Sequence, residues 1–311
     1  MTKRVSYILF LIATVIWGFA FVAQKVATVL PAFAVGAMRC GIAMLFLALI
    51  LPLTDKLTKN GRKILNEKHL PDFTKTELLG GALLGVIISV ATAFQQIGLE
   101  DTDAGKAAFI TTLYVVLVPM ISIFFGKRPS INVWIAVPIS IIGFYFLCIK
   151  PGVGIMLSDL LILACALVFS FHIIAVSFLS PRCDGVRMSL IQFAVAFVIN
   201  SVISLIFEGI PSGEAMIGAM PALIFLGIGS SGIAYTLQII GQANSDASVA
   251  SIILSLESVF GVIGAAIVLH ERMSPRGYIG CAIVFVAVLI AQLEPEFVQK
   301  TIKRCNKANN T

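Results

Sequence analysis

Residues 91–104 read ATAFQQIGLEDTDA, and residues 234–247 read AYTLQIIGQANSDA. With a shift of 143 residues, six positions are identical: an initial alanine, the pattern Gln-x-Ile-Gly, and a closing Asp-Ala pair. A weaker correspondence, with a shift of 152 residues, places Trp17 over Phe169. The sequence therefore indicates two related halves, and this repeat constrains the fold that the apolar segments of the chain can form.

Ten apolar stretches, each of roughly the length that crosses a bilayer as a helix, fill almost the whole chain. The composition agrees, because 59% of the 311 residues are hydrophobic, 12% are charged and the mean hydropathy is +1.01. The stretches are Val5–Ala23, Ala32–Leu51, Leu78–Gly98, Ala104–Phe125, Ile131–Ile149, Leu157–Ser177, Met188–Phe207, Pro221–Gln242, Ala247–His270 and Gly277–Leu293. This pattern predicts a polytopic membrane protein without a separate soluble catalytic domain.

Each half would hold five spans, an odd number, so the second half would enter the membrane from the opposite side. The predicted fold is therefore all-α, with ten transmembrane helices in two inverted five-helix repeats at 1–150 and 151–294, followed by a basic cytoplasmic tail at 295–311. Inverted repeats occur in many transporters, where two similar halves exchange conformations and expose one central site to either side in turn. Accidental similarity between apolar helices is the alternative.

The distribution of Lys and Arg predicts the orientation, since loops on the cytoplasmic side of a membrane carry an excess of both. With the N-terminus inside, 16 of the 22 Lys and Arg residues lie in cytoplasmic segments, five lie outside and Arg39 lies within a span. Both termini are therefore expected in the cytoplasm, with the chain in the plasma (inner) membrane. This asymmetry explains the net charge of +6, so the lipid bilayer is the expected partner rather than nucleic acid.

Three groups of motifs resemble the EamA branch of the drug/metabolite transporter superfamily. They are IWGFAFV at 16–22 with Lys25, AAFITTLYVVLVP at 107–119, and LESVF at 256–260 with HERMS at 270–274. The resemblance covers essentially the whole chain and implies ten helices in two repeats and export of amino acids or other metabolites. Two positions depart from the family pattern: Gly126-Lys127-Arg128 stands where many members carry a glutamate, and Ser258 stands where proline is usual.

Three ionisable residues within spans are the first candidates for substrate binding or coupling, because such groups are costly in the membrane and are by default functional candidates. Glu257 lies about ten residues into the ninth span, where a carboxyl group could accept a proton. Arg39 could pair with Glu257 or with a substrate carboxylate, to which a guanidinium offers a forked donor. Structural roles are the alternatives: Glu257 could tie two helices together, Arg39 could pair with a backbone carbonyl or snorkel, and His172 could be a satisfied core histidine.

Five uncharged residues form a second group of candidates for the substrate site: Trp17, Gln95, Tyr114, Tyr235 and Gln238. The aromatic rings could line a cavity for an apolar side chain, and the two glutamines occupy equivalent places in the two halves. Helix packing is the competing explanation, because hydrogen bonds between helices in lipid contribute about 0.6–2 kcal/mol each without any ligand.

The sequence thus predicts a secondary transporter that exports a small organic metabolite such as an amino acid by alternating access. It leaves open proton coupling and whether two copies associate as a homodimer. No metal site and no cofactor are expected, because no His, Cys and Glu cluster has metal-ligand spacing and no glycine-rich phosphate loop is present. An integral membrane enzyme or lipid-modifying protein is the rival class, and it would need a polar catalytic cluster at one membrane face.

Overall fold

The computed structural model describes residues 3–64, 73–126, 131–148 and 156–292, and all regular secondary structure in these ranges is helical. The α-helices, numbered in chain order, are α1 Lys3–Val26, α2 Ala32–Ile64, α3 Lys75–Asp101, α4 Ala104–Thr111, α5 Tyr114–Ile121, α6 Ile131–Cys148, α7 Leu157–Leu179, α8 Gly185–Ile203, α9 Gly213–Ile224, α10 Tyr235–Gln242, α11 Ala247–Leu254, α12 Glu257–Val268 and α13 Pro275–Gln292. The predicted tail at 295–311 lies outside the described residues, as do Lys127 and Arg128.

Eight helical segments in the described ranges are long and apolar enough to cross a membrane. They are Arg4–Val29, Ala32–Lys56, Lys75–Asp101, Ala104–Phe125, Leu157–Arg182, Gly185–Glu208, Gly213–Gln242 and Ala247–Val268. The fifth and tenth predicted spans form the shorter helices α6 and α13, of 18 residues each. Eighteen residues extend for about 27 Å, slightly less than the roughly 30 Å of hydrocarbon in a bilayer. A multi-pass membrane protein is therefore confirmed, and the ten-span arrangement stays a proposal.

One helix boundary differs from the prediction. The second span was expected to end at Leu51, yet α2 continues through Pro52 to Ile64. The charged residues that follow Pro52 therefore begin on a helix that leaves the apolar region rather than in a loop.

The surface of the bundle is apolar along its sides. Leu49, Phe124, Ile210 and Leu79 are each at least 74% exposed, and many other large hydrophobic side chains are exposed with them. Soluble monomers rarely expose so much apolar surface, whereas helices that contact lipid are expected to do so.

The two halves of the chain are interlocked rather than side by side. Helix α1 packs chiefly against α12 and the segment Phe225–Ala234, α2 against α8, α3 against α7, and α6 against α13. Each of these pairs joins a helix before residue 150 to one after residue 156, so the core forms at the junction of the two halves.

Two membrane-crossing segments are each broken near their middle. Between α4 and α5 the backbone bonds shorten to three-residue spacing, from Leu113 N to Ile110 O and from Val115 N to Thr112 O. Between α11 and α12 the same change occurs around Ser255, where Ser258 N donates to Ser255 O. Hydroxyls assist both breaks, because Thr112 and Ser255 donate back to carbonyls of the preceding turn and such bonds bend helices. Each break stands just before a residue of interest, Tyr114 in one half and Glu257 in the other.

Two glutamates close helix starts at one face of the bundle. Glu208 accepts hydrogen bonds from the backbone N–H groups of Phe33 and Ala34, both at 2.9 Å. Glu271 accepts from Ala104 at 3.0 Å and Gly105 at 3.1 Å. The first N–H groups of a helix have no partner within the helix and carry partial positive charge, so a carboxylate satisfies both requirements. These contacts fix α2 and α4 to segments from the second half of the chain.

Close packing of α3 against α8 depends on Gly81. A Cβ added there would lie 2.7 Å from the Ile191 Cβ, so an alanine would force the two helices apart. At Gly229 the nearest heavy atom to an added Cβ is 3.6 Å away, an ordinary contact distance. We predict that Gly81→Ala costs about 1–3 kcal/mol through overpacking, whereas Gly229→Ala is close to neutral. Thermal unfolding of the two variants in the same detergent measures the difference, and equal midpoints would contradict the prediction.

Candidate functional site

A small cavity lies in the middle of the bundle, where the two halves meet. Its volume is about 30 Å³, which leaves room for about two water molecules. Its polar and aromatic lining comes from both halves: Trp17, Phe21, Gln24, Arg39, Gln95, Thr111, Tyr114, Phe169, Ser230, Tyr235, Gln238 and Glu257. Seven of the eight residues predicted from the sequence therefore surround one central cavity, and His172 does not line it.

One face of α1 forms a wall of the cavity. Trp17, Ala20, Phe21 and Gln24 all line it, and their spacing of three, four and seven residues places them on one side of a helix. Gln24 was not among the predicted site residues. The signal that could have identified it is this spacing, since Gln24 is two turns beyond Trp17 on the same face.

Arg39 is held by three neutral oxygen acceptors. Its Nε donates to Ser231 Oγ at 3.1 Å, its Nη1 to Gln24 Oε1 at 3.2 Å, and its Nη2 to Ser230 Oγ at 3.1 Å. The two serines lie in Phe225–Ala234, a π-helical segment of ten residues. A π-helix turns less per residue than an α-helix and is frequent at functional sites. Here it brings two consecutive serine hydroxyls within reach of one guanidinium, whose side chain is only 3% exposed.

Of the alternatives left open for Arg39, pairing with Glu257 is not formed in the structure. The salt bridges among the described residues join Lys106 to Asp159 and Arg187 to Asp55, and neither includes Arg39 or Glu257. Glu257 instead has the Tyr114 hydroxyl beside its carboxyl group, although the geometry falls short of a well-formed hydrogen bond. The physical reason is local: the helix breaks before Tyr114 and Glu257 bring these two side chains together, while the serines of the π-helical segment engage the guanidinium.

Aromatic rings form a second wall of the cavity, centred on Tyr235. The Tyr235 ring lies 4.6 Å from that of Trp17 at 58°, 6.5 Å from that of Phe169 at 21°, and 5.7 Å from that of Phe193. The Trp17 indole N–H also donates to the Ser230 carbonyl at 3.3 Å. Contacts of this kind hold the rings in fixed orientations, so the wall presents flat apolar surface beside the guanidinium.

Two glutamines line the cavity from equivalent places in the halves. Gln95 Nε2 donates to Thr111 Oγ1 at 3.4 Å, a long and weak contact. Gln238 is 1% exposed, and its Oε1 has no hydrogen-bond partner among the described residues. A buried acceptor without a partner is costly, so the Gln238 oxygen is free to accept a hydrogen bond from a ligand.

His172 lies behind the aromatic wall. Its ring meets that of Tyr235 edge-on at 5.7 Å, and its Nε2 lies 3.0 Å from Gln192 Oε1. The side chain is fully buried. The structure therefore places His172 where it supports Tyr235 rather than where it would touch a molecule in the cavity.

The cavity thus combines three kinds of recognition in one small volume. Arg39 supplies a positive charge with no carboxylate partner among the described residues, Glu257 supplies a carboxyl group, and the rings around Tyr235 supply apolar surface. The described residues bring no group of three His, Cys, Asp or Glu side chains together in a way that could hold a metal ion. The lining groups are chemically complementary to an acidic group, a hydrogen-bond donor and an apolar surface.

Comparison with known proteins agrees with this architecture. The sequence model of the EamA-like transporter family matches residues 4–149 and 156–292. An uncharacterized transporter from Archaeoglobus fulgidus is 29% identical over 288 residues, covering 91% of this chain and 84% of that protein. The uncharacterized transporter YoaV from Bacillus subtilis is 24% identical over 285 residues, covering 89% of this chain and 93% of that protein.

A solved crystal structure shares the fold. It superposes with a TM-score of 0.67 at 17% sequence identity, and the match covers 96% of this chain and 99% of the other. At that identity the likeness concerns the fold alone.

Proposed function

The chain belongs to the EamA-like transporter family, and from this premise we propose that it is a secondary transporter that exports a small organic metabolite, such as an amino acid, by alternating access. The observation that carries the proposal is the central cavity, in which a guanidinium without a carboxylate partner among the described residues, a carboxyl group and an aromatic wall face one small volume. It is a membrane transporter on the evidence of its family and relatives; substrate, direction and mechanism are the proposal.

The chemistry of the cavity supports a substrate with a carboxylate and an amino group. A carboxylate fits Arg39, because a guanidinium whose acceptors are all neutral still lacks an opposite charge. An ammonium group fits the Glu257 carboxyl group and the free oxygen of Gln238. An apolar side chain fits the rings of Trp17 and Tyr235. An amino acid carries these three features on one small framework.

Residue pairs around the cavity support an inverted repeat. With the shifts of 152 and 143 residues seen in the sequence, lining residues of the first half correspond to lining residues of the second. The pairs are Trp17 with Phe169, Phe21 with Ile173, Gln95 with Gln238, Thr111 with Leu254, and Tyr114 with Glu257. A cavity lined by equivalent positions lies on the axis that relates the halves, which is where alternating access requires the binding site. We take the two halves as five-helix repeats, with α6 and α13 completing ten spans.

We propose that both termini face the cytoplasm and that the chain lies in the plasma (inner) membrane. The excess of Lys and Arg on the side of the termini supports this orientation. Glu208 and Glu271, which close helix starts, then lie at the outer face.

Proton coupling through Glu257 completes the proposal. An ionised carboxyl group in the membrane interior is costly, and a neutral or paired one costs much less. Glu257 is 4% exposed and borders the cavity. If each side of the membrane gains access to it in turn, it can take up a proton at one side and release it at the other, in exchange for the substrate.

Orientation is tested with single cysteines in a cysteine-free background. We expect a cysteine at Lys56 to react with an impermeant thiol reagent only from the cytoplasmic side, and one at Asp101 only from outside. Both positions are exposed and lie at opposite ends of the bundle. Labelling of both from the same side would contradict the orientation.

The role of Arg39 is tested by Gln24→Glu. The new carboxylate would take the place of the amide oxygen that lies 3.2 Å from Arg39 Nη1, and it would supply the opposite charge that the present neutral acceptors lack. We predict a higher unfolding midpoint in detergent together with loss of amino-acid uptake into proteoliposomes, because the guanidinium charge is now matched within the protein.

Gln95→Glu is the matched control for this variant, since Gln95 lines the same cavity but contacts the Thr111 hydroxyl rather than a cation. It should lower the unfolding midpoint. Normal amino-acid transport by Gln24→Glu would show that Arg39 does not bind the substrate carboxylate.

Coupling is tested by Glu257→Gln, which keeps size and hydrogen bonding but removes titration. We predict that the variant loses accumulation of substrate driven by a pH gradient in proteoliposomes and keeps one-for-one exchange of substrate across the membrane. Accumulation at the wild-type level would mean that Glu257 is structural and carries no proton.

A further inference from the structure

A second, larger cavity lies at the membrane face on which α1 begins. Its volume is about 290 Å³, close to the lower end of the range for small-molecule sites. It separates the start of α1 from the end of α7 and from the link between α10 and α11. The lining residues that matter here are Tyr7, Ser177, Gln242, Ala243, Ser245 and Val249. None of its lining residues borders the central cavity.

At the opposite face the corresponding helix ends are tied together by charged side chains. Lys25, at the end of α1, donates to the backbone carbonyls of Leu99 at 2.7 Å and of Glu100 and Thr102 at 3.1 Å each. Lys106 on α4 forms a salt bridge of 2.7 Å with Asp159 at the start of α7, and both side chains are at most 10% exposed. The Thr102 hydroxyl lies 3.4 Å from the same aspartate.

The tied face and the cavity occupy equivalent places in the two repeats. With the shift of 152 residues, Lys25 corresponds to Ser177, and Tyr7 corresponds to Asp159. With the shift of 143 residues, Lys106 corresponds to Val249. The residues whose backbone carbonyls accept hydrogen bonds from Lys25 correspond, with the shift of 143, to Gln242, Ala243 and Ser245. Every equivalent of a tying residue therefore lines the cavity.

The two membrane faces differ in the charged side chains that can hold the helix ends together. Breaking a buried ion pair by removing one partner is strongly unfavourable, because the other charge is left unpaired. The equivalents Ser177, Val249 and Tyr7 carry no such charges, so these three positions cannot repeat the contacts that Lys25, Lys106 and Asp159 make at the other face. The asymmetry favours the conformation that the structure shows.

We propose that Lys25, Lys106 and Asp159 form a gate that holds one end of the transport pathway closed, and that the cavity bordered by Ser177 and Val249 is the open mouth at the other end. This inference rests on the proposed alternating access. With the proposed orientation, the gate faces outward and the mouth faces the cytoplasm, where an exporter loads its substrate.

The test compares two reporter cysteines in a cysteine-free background, purified in detergent without substrate. Ser177→Cys reports the mouth, and Leu99→Cys, at the equivalent of Gln242, reports the gate. The measurement is the rate of reaction with a small methanethiosulfonate reagent. We expect Ser177→Cys to react rapidly and Leu99→Cys slowly, because Leu99 is 0% exposed.

Adding Asp159→Asn should raise the Leu99→Cys rate by about tenfold or more, as expected when one partner of a buried pair is lost, and should lower the Ser177→Cys rate. The control is Asp55→Asn, which breaks the 2.9 Å pair with Arg187 at the face of the mouth and should change neither rate in this way. If Asp159→Asn does not fold, Lys25→Met replaces it as the variant that weakens the gate. This substitution removes three hydrogen bonds from a half-buried position.

An unchanged Leu99→Cys rate in the gate variants, or an equal increase at both reporters, would overturn the proposal. The readout needs no substrate, so it separates failure of the gate from failure of the proposed function. A protein that transports nothing tested, yet shows opposite rate changes at the two reporters, would keep the gate and lose only the substrate assignment.

Discussion

Polar groups carried into the membrane interior must find their partners within the protein, and the Arg39 guanidinium is the group for which this is hardest. Its three hydrogen bonds run to Gln24 on α1 and to Ser230 and Ser231 on the π-helical segment of the other half. Satisfying one side chain therefore determines how α1, α2 and that segment meet. The same serine region accepts the Trp17 indole N–H and leads directly into Tyr235. The central cavity is the space between the side chains that these contacts hold in place.

The relation between the halves explains why a symmetric framework can carry asymmetric chemistry. Equivalent helices break at equivalent places, just before Tyr114 in one half and just before Glu257 in the other. The backbone geometry is therefore shared, while the side chain placed by it is a phenol in one half and a carboxyl group in the other. At the two membrane faces the same principle holds for three positions, because Lys25, Lys106 and Asp159 correspond to Ser177, Val249 and Tyr7. The two halves thus share backbone positions and differ in the side chains that those positions carry.

Much of the fold and of the site could be predicted from the sequence, and the same physical arguments show which features could not be predicted. Apolar runs of membrane length identify helices, and the cost of polar groups in lipid singles out Arg39, Glu257 and the two glutamines. What sequence cannot show is which helix faces which, so it left open whether Arg39 pairs with Glu257, and in the structure Arg39 binds Gln24, Ser230 and Ser231 instead. Equally, the sequence does not show that Phe225–Ala234 is π-helical and packs against α1 and α2. Gln24 was missed because a single glutamine is an ordinary residue until the face of α1 that it shares with Trp17 is known.

The central cavity, at about 30 Å³, has a consequence for how binding is measured. A molecule the size of an amino acid needs a wider cavity than this one, so it would bind a conformation other than the one described. The apparent dissociation constant then equals the intrinsic one divided by the fraction of competent protein. Weak affinity at equilibrium would therefore report the rarity of the expanded form as much as the quality of the contacts. Substitutions that widen the resting cavity without touching a ligand would tighten apparent binding.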